Sequence, residues 1–168
     1  NFVNWIAFSD DGGRSWQRGG NVPQTEGRQL NEVQVAEARD GTLYLNSRRW
    51  KGDAFRKVSW SKDGGVTWSP AIEEAAMPDP TCQASLLRVD RGAETHFYFL
   101  NPAGKGRKDG TLRLSTDGGR TWPASRLVFP GPFAYSSIAA LADGRIGVLY
   151  EPAGDTVIKF RAVDPPGR

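Results

Sequence analysis

The chain has 168 residues, with 22 Lys and Arg against 19 Asp and Glu, and 11% of its residues are aromatic. The net charge of +3 is carried by scattered residues, with local clusters only at Arg48-Arg49-Trp50-Lys51 and Lys105-Gly106-Arg107-Lys108, which argues against a nucleic-acid surface. No apolar run approaches the ~20 residues of a helical membrane span. The 20 Gly and 11 Pro are spread along the chain, which implies many tight turns and short strands.

In chain order, Phe2 to Phe8 alternates as a strand and runs into the phrase Ser9-Asp10-Asp11-Gly12-Gly13-Arg14-Ser15-Trp16. Gly19 to Arg28 is polar and rich in turn residues, and reads as a linker. Leu30 to Ala38 has period-two character around Val33-Gln34-Val35, Asp40-Gly41 signals a hairpin, and Thr42 to Ser47 returns. Phe55 to Trp60 then enters a second phrase, Ser61-Lys62-Asp63-Gly64-Gly65-Val66-Thr67-Trp68. Ala84 to Val89, Thr95 to Leu100 and Thr111 to Ser115 follow as strands, the last leading into Ser115-Thr116-Asp117-Gly118-Gly119-Arg120-Thr121-Trp122. Ser136 to Leu141, an Asp143-Gly144 turn, Arg145 to Tyr150 and Thr156 to Val163 form a closing meander, and no stretch has helical periodicity.

The three phrases share the pattern S-x-D-x-G-x-[ST]-W and recur 52 and 54 residues apart. Their aspartates, Asp11, Asp63 and Asp117, can accept backbone N–H groups further along a turn, the glycines allow positive φ, and Trp16, Trp68 and Trp122 close the loop onto a sheet. A calcium loop of the EF-hand kind needs a longer series of oxygen ligands ending in Glu, which none of the copies has, so the phrases read as structural turns with no metal. About four strands per repeat of some fifty residues describes antiparallel β-propeller blades. The fold class is therefore all-β, with about three blades, fewer than the roughly four to eight that close a ring. Residues 1–168 are read as the C-terminal portion of one propeller domain that opens inside a repeat, its N-terminal blades being absent.

The chemistry is expected between the phrases, at Asn31-Glu32, Leu45-Asn46-Ser47-Arg48, Gly110 to Ser115, Tyr135-Ser136-Ser137 and Leu149-Tyr150-Glu151. This ordered series, and above all Phe129-Pro130-Gly131-Pro132-Phe133-Ala134-Tyr135-Ser136-Ser137, resembles the C-terminal half of the bacterial and lysosomal exo-α-sialidases (neuraminidases) with Asp-box repeats. The resemblance implies a six-bladed ring and a retaining glycosidase acting on sialylated glycans without a cofactor. Tyr135 would be the nucleophile, a neutral group that avoids approaching the substrate carboxylate with a like charge, and Glu32 the base that takes its proton. Arg48 and Arg113 match two members of the arginine clamp on that carboxylate, where a planar guanidinium donates two parallel hydrogen bonds. Glu151 matches the acid that orients the remaining arginine.

No Arg-Ile-Pro type motif and no Asp in the acid/base context of that family is present, and neither Asp53 nor Asp79 stands at the matching place. Cys82 is read as a small core residue that leaves the redox compartment open, and His96 as a strand residue. A secreted, periplasmic or lysosome-like setting is compatible with the sequence. Two other functions share the scaffold: a non-catalytic glycan-binding or interaction propeller, and a trans-sialidase that differs in how water is managed.

Overall fold

The computed structural model describes residues 3–24, 30–51, 54–154 and 156–167, and Phe2, Arg28 and Asp53 lie outside them. The described residues form thirteen strands and no helix, so none is long and apolar enough to cross a membrane. The strands fall into four successive antiparallel sheets. The first pairs β1 (Trp5–Phe8) with β2 (Gln17–Asn21). The second runs β3 (Leu30–Glu37), β4 (Leu43–Arg49), β5 (Ala54–Ser61) and β6 (Ile72–Asp79). The third runs β7 (Ser85–Arg91), β8 (Glu94–Pro102), β9 (Lys108–Ser115) and β10 (Ala124–Pro132). The fourth holds β11 (Ser136–Ala140), β12 (Ile146–Tyr150) and β13 (Lys159–Val163). Each sheet is a simple meander, the topology of a propeller blade, and the whole is part of a propeller.

Three hydrophobic clusters lie between the four sheets. Val22, Leu30, Leu45, Trp68 and Ala71 join the first to the second, and Tyr44, Val58, Met77, Phe97, Phe99 and Trp122 join the second to the third. Tyr98, Leu100, Leu112, Phe129, Phe133, Ile146 and Val148 join the third to the fourth. The alternation of β8 explains its central place, because Phe97 and Phe99 face one neighbour while Tyr98 and Leu100 face the other.

Each phrase lies between the third and fourth strand positions of a blade, after β1, β5 and β9. In the first, Asp11 Oδ1 accepts the N–H groups of Arg14 and Ser15, both at 2.9 Å, and Oδ2 accepts the Ser15 hydroxyl at 2.6 Å. Asp63 with Thr67, and Asp117 with Arg120 and Thr121, repeat the arrangement. The tryptophans divide by neighbour. Trp68 and Trp122 are 7% and 8% exposed in the clusters between sheets, whereas Trp16 is 66% exposed, with no sheet against it among the described residues. The loops are equivalent, but the burial of their tryptophans is not.

The structure adds strands that the sequence conceals. Gly19 to Asn21, read as linker, ends β2, where a Cβ on Gly20 would stand 2.2 Å from the Val66 carbonyl oxygen. Gly20 N–H instead donates to Gly65 O at 2.7 Å, a backbone approach only glycine permits. β6 and β10 are fourth strands at the outer edge, where Pro78, Pro130 and Pro132 break the alternation. Thr156 to Ile158 precede the last strand instead of forming part of it.

Candidate active site

The innermost strands, β3, β7 and β11, pack side by side, β3 on β7 and β7 on β11. The phrases lie at the other end of the sheets from Glu32 and Arg48, since Ser61 pairs with Leu43 and Leu43 with Glu37. A β-bulge prepares Glu32. The β3–β4 register slips between Leu30, opposite Arg49, and Val33, opposite Ser47, so Asn31 and Glu32 together face Arg48. The backbone group freed by the bulge is satisfied locally, because the Asn31 carbonyl accepts Asn4 Nδ2 at 2.7 Å and Ser47 Oγ at 3.3 Å. The Asn31 side chain in turn accepts Glu32 N–H at 2.7 Å.

Tyr135 stands at the head of β11, where the β11–β12 ladder continues through Glu151 N–H to Tyr135 O at 2.9 Å and Ala134 N–H to Glu151 O at 2.8 Å. Its hydroxyl donates to Glu32 Oε1. Arg48 Nη1 donates both to Glu32 Oε2 at 2.6 Å and to the Tyr135 oxygen at 2.9 Å, closing a triangle from strands of two sheets. Burial and the Glu32 contact push the Tyr135 phenol above its ordinary pKa, while Arg48 opposes them. The phenol is therefore neutral at rest and needs a base to become a nucleophile. Arg48 is raised as well: burial acts against its charge, but the bonds and charges of Glu32 and Tyr135 together outweigh it. Only 12% of the Arg48 side chain is exposed, and its Nε is buried with no partner among the described residues. Nη1 serves the Tyr135–Glu32 pair, and Nη2, bonded to nothing among the described residues, leaves a donor for an anion.

Arg113 is placed differently from the expectation. It is buried within the β8–β9–β10 sheet, where Nη1 donates to Asn101 Oδ1 at 2.7 Å and to Thr111 O at 3.4 Å. Burial draws its pKa down to about 10, with Glu74 opposing. Among the described residues no hydrogen bond, ion pair or ring contact joins it to Glu32, Arg48 or Tyr135. An arginine the sequence reading passed over lies there instead. Arg107, exposed on the β8–β9 connection, holds its guanidinium carbon 5.5 Å from the centre of the Tyr135 ring, and its carbonyl accepts Phe133 N–H at 3.1 Å. In the sequence it looked like one member of a generic basic cluster, and no local periodicity could single it out.

Glu151 is exposed beside Tyr135 on a cleft of about 270 Å³ that Gln83, Ser136, Leu149 and Tyr150 also line, and its carboxylate is unpartnered among the described residues. Burial pushes the Cys82 thiol up to about 11, so it is a protonated core group beneath the site. His96 lies along β8 between Glu94 and the Tyr98 hydroxyl, at 2.8 and 3.3 Å.

A propeller segment with a Tyr–Glu–Arg triangle at the ends of its inner strands defines a class, and sequence comparison agrees: the chain belongs to the BNR repeat-like domain family, matched over residues 1–148. It is 40% identical over 152 residues to a sialidase of Micromonospora viridifaciens and 36% identical over 155 residues to one of Bacteroides fragilis. These alignments cover 86% and 87% of this chain but only 23% and 28% of those proteins, so the chain spans about a quarter of their length. The solved structure of the Hadza microbial sialidase Hz136 superposes with a TM-score of 0.74 at 33% identity, over 94% of this chain and 31% of that one. The sialidase NanB of Streptococcus pneumoniae, at 22% identity and a TM-score of 0.81, shares the fold.

Proposed function

We propose that this chain forms part of an exo-α-sialidase, a retaining glycoside hydrolase that releases terminal sialic acid from glycoconjugates. The observation that carries this reading is the hydrogen bond from the Tyr135 hydroxyl to Glu32, bridged by Arg48. Sialic acid carries a carboxylate on its anomeric carbon, so a neutral phenol approaches where a carboxylate nucleophile would be repelled. Glu32 takes the phenol proton as the Tyr135 oxygen bonds to the anomeric carbon and the glycosidic bond breaks. The leaving oxygen must gain a proton, and no group in this chain is assigned that step. Water then attacks the tyrosyl-bound sugar, its proton passing to the group that protonated the leaving oxygen, while Glu32 returns its proton to the Tyr135 oxygen.

The carboxylate clamp in this reading is Arg48, through the donors not engaged by Glu32 and Tyr135, together with Arg107, which takes the role first expected of Arg113. Glu151 is free to orient a further arginine supplied from outside this chain. The exposed Trp16 supports a longer propeller, because its counterparts Trp68 and Trp122 are each covered by the preceding sheet. In that longer protein, Tyr135→Phe should abolish release of free sialic acid from an aryl sialoside. An undiminished rate would refute the reading, and an anhydro or transferred product in place of free sialic acid would make the enzyme a trans-sialidase.

A further inference from the structure

The connection between β6 and β7 begins at Asp79, whose carboxylate is fully buried and fully engaged. Oδ2 accepts Arg49 N–H at 2.8 Å, Oδ1 accepts Cys82 N–H at 3.2 Å, and the Arg56 guanidinium lies 3.8 Å away. Arg56, itself wholly buried, donates Nη1 to the Cys82 carbonyl and Nε to Asn46 Oδ1, both at 2.7 Å, and stacks over Phe99. A carboxylate committed in this way is an anchor and not an acid for a ligand.

From that anchor the connection reaches groups in three sheets. Arg49, held by Asp79, is the chain neighbour of Arg48 in the second sheet. Thr81 adopts a φ of 56°, in the left-handed region that β-branched residues avoid, and its carbonyl accepts Arg107 Nη2 at 3.0 Å. Gln83 Oε1 accepts Ser136 N–H and Gln83 Nε2 donates to Ser136 O, both at 3.0 Å, so the side-chain amide pairs with this residue as a neighbouring strand would. Ser85 Oγ adds a bond to the Ser136 carbonyl at 2.6 Å. Ser136 directly follows Tyr135.

We infer that this connection positions the site, with Asp79 setting the backbone of Arg48, the Thr81 carbonyl holding Arg107, and Gln83 fixing Tyr135 through Ser136. The inference rests on the reading of Tyr135 as nucleophile given above. These are positioning residues, and Gln83 is the one whose contribution can be switched. In Gln83→Glu the new carboxylate still accepts Ser136 N–H but offers no proton to the Ser136 carbonyl, whereas its protonated form restores both bonds.

The experiment is made in the longer propeller of the proposed function and compares wild type, Gln83→Glu and Gln83→Met across pH, recording kcat and KM for an aryl sialoside and the Ser136 amide and Tyr135 ring-proton NMR signals. The expected kcat of Gln83→Glu is about tenfold or more below wild type at neutral pH, with KM little changed. Its ratio to wild type should recover as pH falls through the carboxyl range near ~4.3, in step with the NMR signals. Gln83→Met should stay low at every pH. A pH-independent ratio, or Tyr135 signals that ignore a titrating Ser136 amide, overturns the positioning role. If the wild type releases no sialic acid while Ser136 and Tyr135 still follow the titration, the sialidase reading falls and the positioning stands.

Discussion

Tyr135 and Glu32 are 103 residues apart, yet the Tyr135 hydroxyl donates directly to the Glu32 carboxylate, with Arg48 Nη1 2.6 Å from Glu32 Oε2 and 2.9 Å from the Tyr135 oxygen. The propeller makes this contact available, since each inner strand starts near the same axis whatever its distance in sequence. The bulge at Asn31–Glu32 adds the final turn of the side chain. Removing the phenol oxygen and removing the carboxylate charge should therefore differ in effect. Tyr135→Phe keeps the ring packing and deletes the attacking atom, so activity should disappear. Glu32→Gln should lower kcat by about 10²–10⁴-fold, the usual worth of a general base. Steady-state kinetics on an aryl sialoside reads both, and a Glu32→Gln rate equal to wild type would remove the base role.

Residues 1–168 by themselves should hydrolyse an aryl sialoside very poorly. The Tyr135–Glu32 pair is present, but leaving-group protonation is not assigned to any residue here, and general acid help is typically worth 10²–10⁴-fold. An aryl leaving group needs little protonation and should be the least affected substrate. Full activity from these residues would show that the acid lies among them.

The three repeated tryptophans should separate in stability measurements. Trp122→Ala removes a ring packed on Tyr44 and Phe99 and should cost about 3–5 kcal/mol in urea unfolding. Trp16→Ala should change the stability of these 168 residues by less than about 0.5 kcal/mol, because the ring is exposed. In a longer protein whose preceding sheet covers Trp16, the same substitution should cost as much as Trp122→Ala.

The phrases should also set the acid limit of stability. Hydrogen bonds from the Thr67 side chain and backbone and from Ser61 hold Asp63 down from 3.8 to about 2, and Ser15 and Ser9 do the same for Asp11. A carboxylate with a depressed folded pKa stabilises the fold above its unfolded value and loses that contribution as pH falls through the folded value. The loss should therefore fall between about pH 4 and pH 2, and Asp63→Asn should flatten the stability–pH curve in that window. Circular dichroism melts at stepped pH measure it, and an unchanged slope would assign the acid sensitivity elsewhere.

The meeting of Tyr135, Glu32 and Arg48 was legible because each sits in a short ordered motif at a strand end, and the phrases were legible because their turn chemistry is local. The place of Arg107 was not, since it depends on a ring 28 positions away and its neighbours Lys105 and Lys108 look alike in sequence. Arg113 came from the resemblance alone, and the structure sets it apart from the triangle, because the Asn101 amide claims its donor within the sheet. Edge strands β6 and β10 escaped because edges need no clean alternation. Gly19-Gly20 resembled linker because the carbonyls that require glycine there belong to the next repeat.

Taken by themselves, these 168 residues have the energetics of a short stack, in which each layer is held only by its neighbours through the clusters between the four sheets. The two middle layers have two such contacts and the outer layers one. Amide exchange should be slowest in β4 and β8 and fastest in β1 and β13. Glu32 and Arg48 belong to a middle layer and Tyr135 to an end layer. In these residues alone, partial melting of the last three strands would carry the Tyr135 hydroxyl away from Glu32 while most of the sheet structure persisted, so heat should part the pair before it unfolds the rest.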